Sequence, residues 1–188
     1  MSDSLRGKFL IAATHLRDGN FYKAVVLMLE HNAEGAMGLV LNRPMDANVS
    51  EALSSHFQMP SSDDLLFNGG PVETNALLIL HNSVDYDQEH EPIVPGVFVG
   101  TSPDVFDKVA ASVGDPDDDF RFRIYAGYSG WGEGQLEQEM ARGDWFALPA
   151  ESDIVFRDDP YEIWEDVLRV FHEQHRILPG QPPAPDLN

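Results

Sequence analysis

The chain has 188 residues, no cysteine, and 32 acids against 12 bases, for a formal charge of −20. That length supports one well-buried domain, the missing cysteines exclude disulfides, thiol catalysis and thiolate metal sites, and the charge opposes direct binding to a phosphate backbone. The apolar runs are short, well below the roughly 20 residues of a membrane span.

The start, MSDSLRGKFLIAATHLRDGN, lacks the apolar core and small-residue cleavage site of a signal peptide, so it reads as mature, cytoplasmic sequence. Phe9 to Ala13 is a short apolar strand. Ala24 to Leu29 is continuously apolar and partly β-branched, as a strand buried on both faces requires. Gly35 to Leu41 follows, with small residues that admit a close neighbour, and Asn42-Arg43-Pro44 stops it. Val49, Ala52, Leu53, His56 and Phe57 have helical spacing. Leu65 to Phe67 runs into the turn signal Asn68-Gly69-Gly70-Pro71. Ala76 to His81 and Val97 to Gly100 read as strands, separated by an acidic loop over Asp85 to Glu91.

Ser102-Pro103 supplies an N-cap and a first-turn proline for a helix burying Val105, Phe106, Val109, Ala110 and Val113. After the acidic loop Asp115 to Asp119, Phe120, Phe122, Ile124 and Ala126 alternate with Arg121, Arg123 and Tyr125 along a strand. That strand leads into GYSGWGEGQLEQEM, residues 127–140. Its glycines, at 127, 130, 132 and 134, match neither GxGxxG nor GxxxxGK[ST]. Glu133, Glu137 and Glu139 would repel an anion but suit a helix start. The stretch therefore reads as a strand-to-helix turn that packs Tyr128 and Trp131, at the wall of a cleft. Trp145 to Pro149 and Ile154 to Phe156 follow. A final helix is expected from Asp159-Pro160-Tyr161-Glu162, burying Ile163, Trp164, Val167, Leu168 and Phe171. Residues 1–175 read as one α+β domain and 176–188 as a proline-rich tail.

Few residues announce chemistry. His31 and His81 each end a strand and would serve as acid/base groups if they met near an acid. His172 and His175 are three apart, not the four of the zinc protease helix motif, and no metal or cofactor is implied. Arg43 ends an apolar strand, where a guanidinium would grip a carboxylate or phosphate or pair with one of the many acids. No Gly-x-Ser-x-Gly elbow occurs.

Taken together, FYKAVVLMLEH from Phe21, GAMGLVLNRP from Gly35, GGPV from Gly69, Leu80-His81 and GYSGWGEGQLE from Gly127 resemble the YqgE/AlgH family of bacterial proteins. The match runs in family order over about residues 5 to 172. Thr14, Lys23, Ser129 and Glu133 depart from the usual proline, arginine, alanine and proline, and Lys23 weakens any anion grip at its position. The resemblance implies a compact α+β domain whose mixed sheet is partly closed into a barrel and flanked by helices. It implies no agreed activity, although some members are labelled transcriptional regulators. The leading expectation is a non-catalytic cytoplasmic binding or regulatory protein, acting through a protein or small-molecule partner rather than DNA. His31, Asn42, Arg43, Gly69, Gly70, Tyr128, Trp131 and Gln135 would line its cleft. The alternative is an enzyme using His31 or His81 as acid/base and Arg43 as an anion clamp.

Overall fold

A computed structural model describes residues 4–50, 64–86, 91–112 and 119–175. The strands are β1 (Lys8–Ala12), β2 (Val25–Asn32), β3 (Gly35–Val40), β4 (Pro44–Asn48), β5 (Leu65–Asn68), β6 (Val72–His81), β7 (Phe98–Gly100), β8 (Phe122–Gly132) and β9 (Trp145–Pro149). The helices are α1 (Pro103–Ser112), α2 (Gln135–Ala141), α3 (Ser152–Val155) and α4 (Ile163–Gln174). The helix expected through Ala52, Leu53, His56 and Phe57, most of the loop at 115–119, and the tail at 176–188 lie outside the described residues.

All nine strands belong to one mixed sheet, along the path β4-β5-β8-β3-β2-β1-β9, with β6 and β7 branching from β8. Among the described residues, only β5 and β8 pair in parallel. The long strand β8 makes this possible by changing neighbours along its length. Its first part lies between β5 and β6, and its last part, from Ser129 to Gly132, pairs with β3. Strands that pass from one half of a sheet to another in this way need a bend or bulge. Gly127 supplies the bend at φ 69, and the β6 register shifts opposite it, between Val72 and Leu77.

At that bend the backbone of Gly69-Gly70 crosses the backbone of β8. A Cβ on Gly70 would sit 2.3 Å from the Tyr128 carbonyl, and one on Gly69 would sit 2.3 Å from the Gly127 oxygen. Only hydrogen fits at such a crossing. Ser129 Oγ donates to the Gly69 carbonyl at 3.1 Å, and Gly69 N–H donates to Ala126 O at 3.0 Å. The glycine-rich stretch is thus largely strand, and the turn expected there is confined to Glu133-Gly134. Tyr128 and Trp131 stand on β8 itself.

The two halves of the sheet face each other across the main core. Phe9, Ile11, Leu27 and Leu39 come from one half, and Phe67, Leu78, Leu80 and Tyr125 from the other. Each such side chain contributes about 1.5–3 kcal/mol on burial. Val155 of α3 and Ile163, Trp164 and Val167 of α4 fill the open side, and Trp164 Nε1 donates to Ala12 O at 2.9 Å. Helices occupy the gap that further strand pairing would have to close. The expectation of a sheet partly closed into a barrel is therefore corrected: β4 and β9 end an open path.

The outer faces carry smaller cores. Leu136 of α2 packs on Val26, Met28, Trp131 and Trp145, while Val105, Phe106 and Val109 of α1 cover Leu66, Ile79 and Ile124. Helix α1 starts as expected, with Ser102 Oγ accepting from Val105 N–H at 3.4 Å. The last helix begins a turn later than expected. Asp159 accepts from Tyr161 N–H at 2.9 Å in a local turn, and the helix proper opens at Ile163. Ile154 to Phe156 overlaps the short helix α3, and β4, too polar to stand out, has no counterpart among the expected strands.

The backbone crossing has a direct consequence for stability. Gly70→Ala is expected to cost about 3 kcal/mol or more in urea titration. Gly19→Ala, whose Cβ would meet nothing within 4 Å, should stay within about 0.5 kcal/mol of the parent.

Candidate functional site

The eight residues expected to line one cleft occupy three places. The first is the seam between β2, β8 and α2. His31 lies at the end of β2, its side chain 7% exposed. Nδ1 accepts the Leu5 N–H at 3.0 Å, so Nε2 carries the proton and donates to Glu137 Oε1 at 2.8 Å. Both ring nitrogens are thereby engaged. That hydrogen bond is the main reason the Glu137 carboxyl lies below its usual range.

Next to it, Glu139 gathers two indoles. Its Oε2 accepts from Trp131 Nε1 and from Trp145 Nε1, each at 2.9 Å, and its Oε1 accepts from Gln135 Nε2 at 3.0 Å. Gln135 Oε1 in turn accepts from Gly132 N–H at 3.1 Å. Trp131 is 5% exposed and Trp145 2%, and Phe21 stacks on the first and meets the second edge-on. The acids of the glycine-rich stretch are acceptors for this cluster. The i,i+4 spacing of Gln135 and Glu139 carried a signal for part of it, whereas Trp145 is brought in only by the pairing of β9 with β1.

The second place is the crossing itself, where Gly69 and Gly70 meet β8 and Tyr128 packs half-buried against the main core. The third is a cavity of about 250 Å³, lined by Tyr22, Lys23, Asn42, Arg43, Tyr161, Trp164 and Glu165. Asn42 is its buried frame: Oδ1 accepts from Val25 N–H at 2.9 Å and Nδ2 donates to the Lys23 carbonyl at 2.8 Å. This bracket holds Lys23 at φ 54, a conformation uncommon outside glycine. Lys23 Nζ lies 4.9 Å from the centre of the Trp164 ring and 3.2 Å from Glu165 Oε1.

Arg43 donates to the carbonyls of Tyr22 and Asn42. It forms no ion pair with an acid among the described residues, contrary to the simplest expectation for a chain so rich in carboxylates. Burial lowers its pKa. Of the eight residues, Asn42 and Arg43 line this cavity. Tyr22, Tyr161, Trp164 and Glu165 were not singled out, because α4 reaches β3 only through the tertiary fold.

His81 is fully buried, its ring stacked on Phe98 and close to Tyr86 and Phe120. Neither histidine lines the 250 Å³ cavity or the cavities of about 450 and 860 Å³. The largest lies between Leu29, Leu78, Val99 and the start of α1, with Glu30, Asp85, Glu91 and Asp104 around it.

Residues 9–176 match the family described as AlgH-like. A UPF0301 protein of Chlorobium limicola is 36% identical over 188 residues, covering 99% of this chain and 97% of that protein. Another, of Hahella chejuensis, is 37% identical over 181 residues, or 93% of each. The solution structure of the AlgH protein from Pseudomonas aeruginosa has a TM-score of 0.73 at 35% identity, covering 91% of each chain. A crystal structure of a Corynebacterium diphtheriae protein has a TM-score of 0.70 at 22% identity, covering 98% of this chain and 90% of that one, a likeness of fold alone.

Two measurements probe the α2 seam. Glu139→Ala removes the acceptor of two buried indole N–H groups, so it should cost about 2–4 kcal/mol in urea and shift tryptophan emission. Glu137 gains stability from a carboxyl held low in the folded state, which is fully present above the usual range and lost as pH falls through the folded value. The parent should therefore exceed Glu137→Gln in stability at neutral pH, and the margin should shrink as acidification protonates the carboxyl.

Proposed function

The chain belongs to the AlgH-like family, and from that premise we propose that it is a non-catalytic binding or regulatory protein whose ligand presents an anionic group to Lys23 and Arg43. One observation carries this reading. In a chain of formal charge −20, Arg43 is half-buried beside a cavity, and its recorded partners are two backbone carbonyls. A guanidinium so placed keeps donors for a carboxylate or phosphate oxygen, which it binds through a planar fork.

The surroundings support the same chemistry. Lys23 adds a second cation on the same wall, with Trp164 beneath it. Its present counter-ion, Glu165, is 72% exposed at the side chain, and such a surface pair is worth little, so an incoming anion displaces it readily. The aromatic rings of Tyr22, Tyr161 and Trp164 give the cavity apolar walls. A regulatory role would run through this ligand or through a protein partner, since the charge of the whole molecule opposes contact with DNA. Acid–base catalysis at His31 or His81 has less support: the first ring has both nitrogens engaged and the second is fully buried.

The test is a thermal-shift series with inorganic phosphate, citrate and pyruvate at constant ionic strength, on the parent and on Arg43→Ala. A binding anion at ten times its Kd stabilises by about 1.4 kcal/mol, or roughly 3–5 °C for a chain of this size. Arg43→Ala should lose that shift. Equal shifts in both proteins would sink the proposed pocket.

A further inference from the structure

A pair of arginines stands apart from Lys23 and Arg43. Where β5 and β8 begin side by side, they and the segment after α3 border a cavity of about 450 Å³. Arg121 and Arg123, two apart at the start of β8, contribute to its lining, with Phe67, Phe120 and Phe156 among the apolar walls. Arg123 is only 9% exposed. Its guanidinium lies over the Phe67 ring, 4.8 Å from the centre, and Nη2 donates to the Arg157 carbonyl. Nη1 is buried and reaches no carboxylate or carbonyl. Two residues on, the Tyr125 hydroxyl is also buried, with the Arg123 guanidinium beside it. Burial pushes the Tyr125 pKa up to about 12, with the Arg123 charge and its hydrogen-bonding contact pulling the other way.

A guanidinium charge buried among neutral groups, with no carboxylate paired to it among the described residues, is costly. Exposed Arg121 adds a second guanidinium, and among the described residues it makes no ion pair. Asp64 and Asp158 line the same cavity, yet neither forms a salt bridge with either arginine.

We propose that this cavity binds a small aromatic monocarboxylate, independently of the Lys23–Arg43 pocket. The carboxylate engages Arg121 and neutralises the buried charge of Arg123, and the ring lies against Phe120 and Phe156. The cavity volume falls within the range of small-molecule sites. Asp64 and Asp158 border the cavity as well, so a multiply charged phosphate is opposed more strongly than a single carboxylate.

The probe is phenylacetate, with phenylacetamide as its neutral counterpart and inorganic phosphate as the third arm. Binding is read by NMR at the Arg121 and Phe120 signals in the parent and in Arg121→Ala, whose altered side chain is exposed and leaves the core intact. A saturable shift with phenylacetate, a Kd about 10-fold weaker in Arg121→Ala, and no saturable shift with the amide or with phosphate are expected. Arg123→Lys, shown by urea titration to be folded, should weaken phenylacetate as well. Equal affinity for the acid and the amide, or for parent and Arg121→Ala, would overturn the proposal. So would shifts confined to Tyr161 and Trp164, which would assign the acid to the Arg43 pocket instead.

Discussion

The crossing of Gly69-Gly70 over Gly127 to Ser129 is the constraint on which the rest of the structure depends. One strand serves both halves of the sheet only if its backbone bends sharply and passes another backbone at van der Waals distance. With the Gly70 Cβ position 2.3 Å from Tyr128 backbone atoms, no side chain can be accommodated there without moving β8. The bend turns the β5–β8–β6 half to face β1, β2 and β3, and that apposition creates the main core. Helices α3 and α4 then cover the side left open, with Trp164 tied to β1 through the Ala12 carbonyl.

A second consequence is felt on the outer face. Because β8 continues as a strand to Gly132, Trp131 is delivered inward beneath α2, beside Trp145 of β9. Two indole N–H groups buried together need acceptors, and Glu139 serves both. His31 completes the seam by joining Leu5, the end of β2 and Glu137. Residues that look chemically versatile in isolation are held here by hydrogen bonds within the fold. Their protonation states serve packing, which is why the carboxylates of this stretch are structural acceptors.

Arginines that form no ion pair among the described residues mark the two proposed anion pockets. Thirty-two acids make a surface field that disfavours anions generally, so a ligand of that charge needs a local well with low-dielectric walls. Lys23 over Trp164 in one pocket, and Arg123 over Phe67 in the other, sit against aromatic rings, where their fields are less screened than on an open surface. The pockets differ in what frames them. Asn42 and the strained Lys23 backbone build the first, while the second opens between the starts of two parallel strands.

Much of this was legible along the chain. The runs at Phe9, Val25, Gly35, Leu65, Ala76 and Trp145 stand as strands because apolar continuity and alternation report burial locally, and the motifs from Phe21 to Glu137 identify the family. Local signals misled where glycine was concerned. GYSGWG has the composition of a turn, yet it is strand, and its first glycine, Gly127, answers to backbone some sixty residues away, at Gly70 and Val72. Helix α4 has a good capping pattern at Asp159, but the turn at Tyr161 satisfies that side chain and delays the helix. The sequence by itself determined most of the strands and helices, the excess of negative charge and the family. The tertiary structure alone decided that the sheet stays open, that His31 and His81 lie in different surroundings, and which arginines lack acids among the described residues. Those outcomes depend on contacts between residues distant along the chain, and periodicity and propensity record only the neighbours within a few residues.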